Sequence, residues 1–301
     1  MSDRAGQPQA EMNFLRDASV LVLGLGDSGL AMARWCVRHG AAAVRVWDSR
    51  AQPPQAAALR AELPQVECLF GAELGARVPE GVTLLLKSPG LMPHDARIAP
   101  LLAAARAAGL AVLGELDLFA RALADLKALT APPAVAAAET AAEAAPEADA
   151  PLALSPDPDS VPLPAPAYAP AVLAITGTNG KTTTTALTAV LVQSTGRRAA
   201  VAGNIAPSLL ERLSAMLDAP RDEWIEVWVL ELSSFQLADA RDGFEPSAAA
   251  LLNLSQDHLD WHGDMAAYAQ AKARIFGRDA TLVVNRDDAQ VEALVQALAP
   301  A

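Results

Sequence analysis

Two short glycine-rich stretches in this sequence carry residue types that hold phosphate. In Thr176-Gly177-Thr178-Asn179-Gly180-Lys181-Thr182-Thr183, an apolar run leads into a glycine turn, then a lysine and hydroxyl residues, then a helical pattern. Backbone N–H groups and a helix dipole would cradle phosphate there, Lys181 would neutralise β/γ oxygens, and Thr182 would ligate magnesium. The stretch departs from the general phosphate-loop pattern, which needs glycine five positions before Gly180, where Ile175 stands. The second stretch, Gly24-Leu25-Gly26-Asp27-Ser28-Gly29, matches G-x-G-x-x-G, and Asp48 follows 19 residues after Gly29. There Gly24 allows a tight turn, Gly26 lets a pyrophosphate approach the backbone, Gly29 permits close helix–strand packing, and Asp48 would accept a ribose hydroxyl. By itself this motif favours a dinucleotide such as NAD or FAD, and it is also compatible with a tight turn that binds nothing.

Such residues need strands to aim them. Residues 19–23 form a short apolar run, residues 30–39 a helical stretch, and residues 44–47 a second strand-like run ending at Asp48. Further strands are predicted at 82–86 and 110–113, with a helix over 98–108. This alternation implies a parallel sheet in a Rossmann-like α/β domain. A second series runs from a strand at 172–175 through a helix at 181–194 to strands at 199–201, 227–232, 248–252 and 281–284. Helices over 265–276 and 289–298 complete an ATPase-like α/β domain whose sheet looks unfinished. Between the two series, residues 128–171 hold ten prolines, six carboxylates and no Lys or Arg, the composition of a linker or insert. The expected organisation is a loose tail at 1–13, a first domain at 14–127, the insert at 128–171 and a second domain at 172–301.

Composition narrows the function classes. A formal charge of −12 and the lack of a clustered basic stripe argue against a nucleic-acid surface. Apolar runs are too short to cross a bilayer, and the N-terminus lacks an export signal, so a cytoplasmic protein without membrane insertion is expected. Cys36 and Cys68 have no Cys or His neighbours at metal-ligand spacing and read as buried thiols.

The stretch Gly177-Thr178-Asn179-Gly180-Lys181-Thr182 closely resembles the ATP loop of the Mur ligase family, which joins amino acids to cell-wall precursors through acyl phosphates. Leu230-Glu231-Leu232-Ser233-Ser234-Phe235-Gln236, the segment Asn253-Leu254-Ser255-Gln256-Asp257-His258-Leu259-Asp260 and Ala271-Lys272 resemble later family motifs, in the family's order. The Leu-Ser-Ser-Phe-Gln string, the G-x-G-x-x-G start and Ser88-Pro89-Gly90 are similar to members that add D-glutamate to UDP-N-acetylmuramoyl-L-alanine. The resemblance spans residues 14–126 and 171–301.

It implies ATP binding by residues 177–183, Thr183 included, and a magnesium ion on Thr182 and Glu231. A second magnesium is implied on His258 and on Lys272, the latter carrying a carbamate formed with carbon dioxide. A carbamate requires a neutral amine, which burial can provide. Lys181, His258 and Lys272 are the implied catalytic residues. Gly26, Asp27, Ser28, Asp48, Ser88, Pro89, Gly90, Asn204 and Ser233 are the implied substrate contacts, although Ala206 replaces a family glycine after Asn204. His262 reads as a surface residue. A monomer is expected, and, because the family has a further C-terminal domain, little ligation by residues 1–301 alone. A ligase for a different amino acid, a non-catalytic nucleotide-binding fragment and an NAD-dependent oxidoreductase remain open at this point.

Overall fold

The computed structural model describes residues 14–131, 167–241 and 243–298, and within them two five-stranded parallel sheets with helices packed on their faces. In the first sheet the strands are β1 (Ser19–Leu23), β2 (Ala43–Asp48), β3 (Glu67–Phe70), β4 (Leu84–Lys87) and β5 (Ala111–Leu113), in spatial order β3-β2-β1-β4-β5. Helices α1 (Asp27–Arg38), α2 (Ala56–Glu62), α3 (Ala99–Ala107) and α4 (Glu115–Thr130) belong to this unit. The strand order reverses at β1, so the turns leaving β1 and β4 open beside each other, where parallel α/β sheets form ligand crevices.

The second sheet orders its strands β10-β9-β6-β8-β7. They are β6 (Ala171–Thr176), β7 (Ala199–Gly203), β8 (Val227–Glu231), β9 (Ala248–Leu251) and β10 (Thr281–Val284). Its helices are α5 (Lys181–Ser194), α6 (Leu209–Leu217), α7 (Ser234–Asp239), α8 (Leu259–His262), α9 (Met265–Ala273) and α10 (Ala289–Leu298). The central strand β6 carries the phosphate-type loop at its C-terminal end, and β8 is buried along its whole length. In the edge strand β10, Leu282 and Val283 are exposed.

Several boundaries differ from the sequence reading. Helix α4 runs to Thr130, past the expected start of the insert at 128, because Leu126 remains buried against the core and Thr130 Oγ1 returns a hydrogen bond to Leu126 O. Residues 132–166, most of the insert, lie outside the described residues, as does the tail at 1–13. Helix α9 ends at Ala273 and tightens into a 3-10 turn over Arg274–Phe276. Both cysteines are free, Cys36 buried and Cys68 only half-buried. No helix among the described residues is long and apolar enough to cross a membrane.

One apolar cluster runs through both units. It joins Leu30, Trp35 and Phe119 of the first to Leu209, Leu213 and Trp228 of the second, with the Phe119 and Trp228 rings edge-on at 5.0 Å. Tyr168 anchors the chain where it enters β6. Its hydroxyl donates to Ile225 O at 2.9 Å and accepts from Trp228 Nε1 at 3.1 Å. Tyr168→Phe leaves a carbonyl and a buried indole N–H without that partner. It should lower unfolding free energy in urea melts by about 1–3 kcal/mol, whereas replacing exposed Leu129 by Ala should change it far less.

Candidate active site

The turn after β1 is shaped by its glycines. Gly24 has φ +89°, and a Cβ on Gly29 would sit 2.0 Å from Gly24 O, so only glycine allows α1 to start this close to β1. A Cβ on Gly26 would meet nothing within 4 Å, which leaves that face of the turn open. Ser88 closes the other side by donating from Oγ to Gly24 O at 3.0 Å. Pro89 is half-buried, and Gly90 and Asp27 are exposed around the same mouth, with Asp27 accepting from Gln55 Nε2.

Asp48 corrects the sequence expectation. Its carboxylate is buried, and all four of its acceptor positions are filled: Oδ1 by the N and Nε of Arg50, Oδ2 by Leu25 N and Arg50 Nη2, at 2.7–2.9 Å. No lone pair is left for a ribose hydroxyl. Asp48 instead fastens the glycine turn to the end of β2. Burial alone would raise its pKa, but the Arg50 side chain and the Leu25 and Arg50 amides outweigh burial and hold it at about 2.

The second turn is built around Gly177–Gly180. Gly180 takes φ +80° at the helix start, and a Cβ on Gly177 would crowd Leu252 at 3.0 Å. The loop is locked from outside by Asn253: Asn179 N donates to Asn253 Oδ1 at 2.8 Å, Asn253 Nδ2 donates back to Asn179 O at 3.1 Å, and Thr178 N donates to Asn253 O. Thr178 Oγ1 accepts from Ser255 N and lies 3.1 Å from Tyr268 Oη. Lys181 folds over the loop, with Nζ at 3.1 Å from Gly177 O and 3.0 Å from Thr178 O. An ammonium has three donors, so one is left to face the cradle. Thr183 stands exposed on the first turn of α5.

Glu231 ends β8 beside this loop. Its Oε2 accepts from Thr182 Oγ1 at 2.8 Å and its Oε1 from Asn204 Nδ2 at 3.1 Å. Asn204 reaches it because Gly203 ends β7 at φ +118°, and a Cβ there would lie 2.2 Å from Glu231 O. The Ala206–Pro207 peptide that follows is cis.

Lys272 is 1% exposed and lies under the loop, where Nζ donates to Gly177 O at 2.8 Å and Thr176 Oγ1 at 3.3 Å. Burial, assisted by the charge of Lys181 and opposed by Asp257, brings its pKa down to about 7. A substantial neutral fraction therefore exists near neutral pH.

The donors Thr182 Oγ1 and Glu231 are hard oxygen ligands that already converge, and they fit one magnesium ion. The other expected ligands do not join them. His258, at φ +51°, packs its ring against Phe235 with centroids 4.7 Å apart and lies 3.4 Å from Asp257, while Lys272 binds loop backbone. Among the described residues no three His, Cys, Asp or Glu side chains form a metal-binding group. As they stand, His258 and the unmodified Lys272 do not fit a second ion.

Ser233 and His262 also differ from expectation. Ser233 Oγ caps α7, accepting from Gln236 N and contacting Gln236 Oε1 at 3.1 Å, so its hydroxyl is already engaged by its own helix. His262 is half-buried, with Nε2 at 2.9 Å from buried Ser234 Oγ and its ring stacked on Phe235. Glu115, missed by the sequence reading, is a fully buried carboxylate at the start of α4. It accepts from Leu210 N in α6 at 3.0 Å, and burial, partly offset by the hydroxyls of Ser28 and Ser208, raises its pKa. It therefore ties the helix leaving the first glycine turn to α6 of the second unit, a relation between distant segments that no local pattern encodes.

Comparison with known proteins agrees with this architecture. Residues 18–114 match the "Mur ligase MurD-like, N-terminal domain" and residues 175–301 the "Mur ligase middle domain". The chain belongs to the Mur ligase family. It is similar to the UDP-N-acetylmuramoylalanine–D-glutamate ligase of a Polaromonas species, 49% identical over 93% of this chain and 55% of that protein. Its counterpart from Ralstonia nicotianae is 50% identical over 91% of this chain and 47% of that protein. The chain thus spans about half the length of the curated relatives it matches. Among solved structures, a UDP-N-acetylmuramoyl-L-alanyl-D-glutamate–2,6-diaminopimelate ligase aligns with TM-score 0.41 and 25% identity, over 73% of this chain and 44% of that one.

The Asp48 anchor has a testable pH signature. Its folded pKa of about 2 lies below the ordinary aspartate value, so its contribution is fully present above about pH 4 and is lost as pH falls towards 2. Asp48→Asn should cost about 1–3 kcal/mol at neutral pH and flatten that acid limb in denaturant titrations; an unchanged acid limb would remove Asp48 as the anchor.

Proposed function

We propose that this chain is the substrate- and nucleotide-binding part of an ATP-dependent ligase that joins D-glutamate to UDP-N-acetylmuramoyl-L-alanine. The observation that carries this reading is the loop Gly177–Gly180 set between Lys181, the Thr182–Glu231 pair and buried Lys272. The near-50% identity to D-glutamate ligases supports the choice of amino acid.

The uridine diphosphate lies on the open face of the turn at Gly26, Asp27 and Ser28, bordered by Ser88, Pro89 and Gly90. ATP lies on residues 177–183, with loop N–H groups and the Lys181 ammonium on its β and γ oxygens. Thr182 and Glu231 would hold magnesium, which would supply neutralising charge to the phosphates. A carboxylate oxygen of the alanyl substrate, oriented by Asn204, attacks the γ-phosphorus. The bond to the β–γ bridging oxygen breaks, and ADP leaves. The amine of D-glutamate then attacks the acyl carbon, loses its proton, and expels phosphate to leave an amide.

Lys272 is assigned a carbamate: its neutral amine adds to carbon dioxide and loses a proton, turning a donor into an oxygen ligand that, with His258, would hold a second magnesium. An oxidoreductase reading leaves Lys181, Glu231 and Lys272 without a task.

Calorimetry with a non-hydrolysable ATP analogue and magnesium tests the reading. Lys181→Ala should weaken binding by about tenfold or more, and Glu231→Gln should abolish its magnesium dependence while leaving UDP-muramoyl-alanine binding intact. Equal nucleotide affinity in wild type and Lys181→Ala would overturn the assignment. In a chain extended to the length of its relatives, phosphate release should require D-glutamate; preference for another amino acid would keep the fold and replace the substrate. Labelled bicarbonate should give one carbamate carbon signal that disappears in Lys272→Arg.

A further inference from the structure

Where the first unit meets the second, a cleft of about 190 Å³ lies between β4, α3 and β5 on one side and α7 and the turn after α9 on the other. Four cations line it, Lys87, Arg106, Arg241 and Arg274, against one lining carboxylate, Asp239. Lys87 Nζ lies 2.6 Å from Asp239 Oδ2, so that pair is locally neutral. Arg241 and Arg274 are held differently. Arg241 Nε donates to Val112 O at 2.9 Å, and Arg274 donates to the carbonyls of Ala238 and Ala240. Carbonyl acceptors orient a guanidinium without cancelling its charge, and each guanidinium has five donors, most of them still uncommitted. Asp117 stands behind the wall, its oxygens taken by Gly114 N and Arg241 N. Counting it as well, four cations face two carboxylates.

This is a local reversal of sign in a chain of net charge −12. It is also confined. A neighbouring cavity of about 200 Å³ shares Arg241 and Arg274, but there Arg278 is offset by Glu245 at 3.4 Å. Lys181 does not line either space, so neither is the phosphate loop. With a water occupying about 30 Å³, the first cleft has room for one tetrahedral oxyanion and a few waters.

The geometry points to this cleft as a binding site for a small phosphate-type dianion, gripped by Arg241 and Arg274 from the second unit and by Arg106 from the first. Bidentate guanidinium contacts suit tetrahedral oxyanions. Because its ligands come from both units, the bound anion fastens them together.

The full chain is titrated with inorganic phosphate and with methyl phosphate by calorimetry, in chloride buffer of matched ionic strength. Saturable binding is expected, weakened at least about tenfold by Arg241→Gln and by Arg106→Glu, and retained in Lys181→Ala. Arg106 is exposed on α3, so its variant reports on the site even if Arg241→Gln fails to fold. Tighter binding of inorganic phosphate marks a free ion as the ligand; tighter binding of methyl phosphate marks the phosphate group of a larger molecule. Absence of saturation, indifference to both arginine variants, or loss of binding in Lys181→Ala overturns the proposal.

Discussion

The carboxylate of Glu231 is the contact that joins the start of α5, the end of β7 and the end of β8 beside the second glycine turn. A buried carboxylate must find partners or give up its charge, and Glu231 finds them in Thr182 from α5 and Asn204 from the end of β7. Both are placed by strand register: Ile175 of β6 and Gly203 of β7 each pair with Glu231 of β8. A slip of one residue in β8 would turn Glu231 to the opposite face of the sheet. The Thr182 and Asn204 groups would then lose their common partner. The glycine at 203 is part of the same constraint, since any Cβ there collides with Glu231 O.

A second requirement is that two separately folded sheets act as one frame. An apolar cluster shared by α1, α4, α6 and β8 joins them, with the Phe119 and Trp228 rings edge-on within it. Polar contacts set orientation within it. Arg38 meets Asp218 at 2.8 Å and Arg34 meets Glu211 at 3.5 Å, both on the surface, where each adds little energy. Buried Glu115 acts differently. By accepting from Leu210 N beside Ser28 and Ser208, it ties the start of α4 to the start of α6 and to the helix leaving the first glycine turn. Losing one partner of a buried carboxylate costs far more than losing an exposed ion pair.

Much of this was legible in the sequence because its rules are local. The strand at 19–23, the glycine turns, the helix Lys181–Ser194 and the strand Thr281–Val284 follow from apolar runs, glycine placement and helical spacing within a few residues. Strand β3 and helices α2, α4, α6, α7 and α8 escaped notice: β3, α2, α7 and α8 are short, α4 runs up to the proline-rich insert, and only one face of α6 is apolar, a face covered by the other unit. Side-chain roles failed where they depend on which partners the folded chain brings to the group, near or far in sequence. Asp48 at a strand end has the sequence context of a ribose acceptor, yet Arg50 and Leu25 saturate it. His262 looked like surface until α7 brought Ser234 and Phe235 against it. Tyr168 follows a proline-rich stretch, and nothing nearby marks it as an anchor for Trp228.

The two lysines at the phosphate loop divide their work by depth. Placing two ammonium groups around one short loop is unfavourable unless an anion is present or one of them loses its proton. Lys181 is half-buried and faces the cradle, while Lys272 is enclosed and its pKa falls to about 7 through burial and the nearby Lys181 charge. A neutral amine still donates two hydrogens, enough to keep the bonds to Gly177 O and Thr176 Oγ1. The loop is therefore supported from below in either protonation state, and only the charge underneath it changes. An anion arriving above would favour the protonated lysine. The fold thus leaves the charge beneath the loop responsive to what the loop holds, because gain or loss of that proton does not disturb the hydrogen bonds that keep the loop's shape.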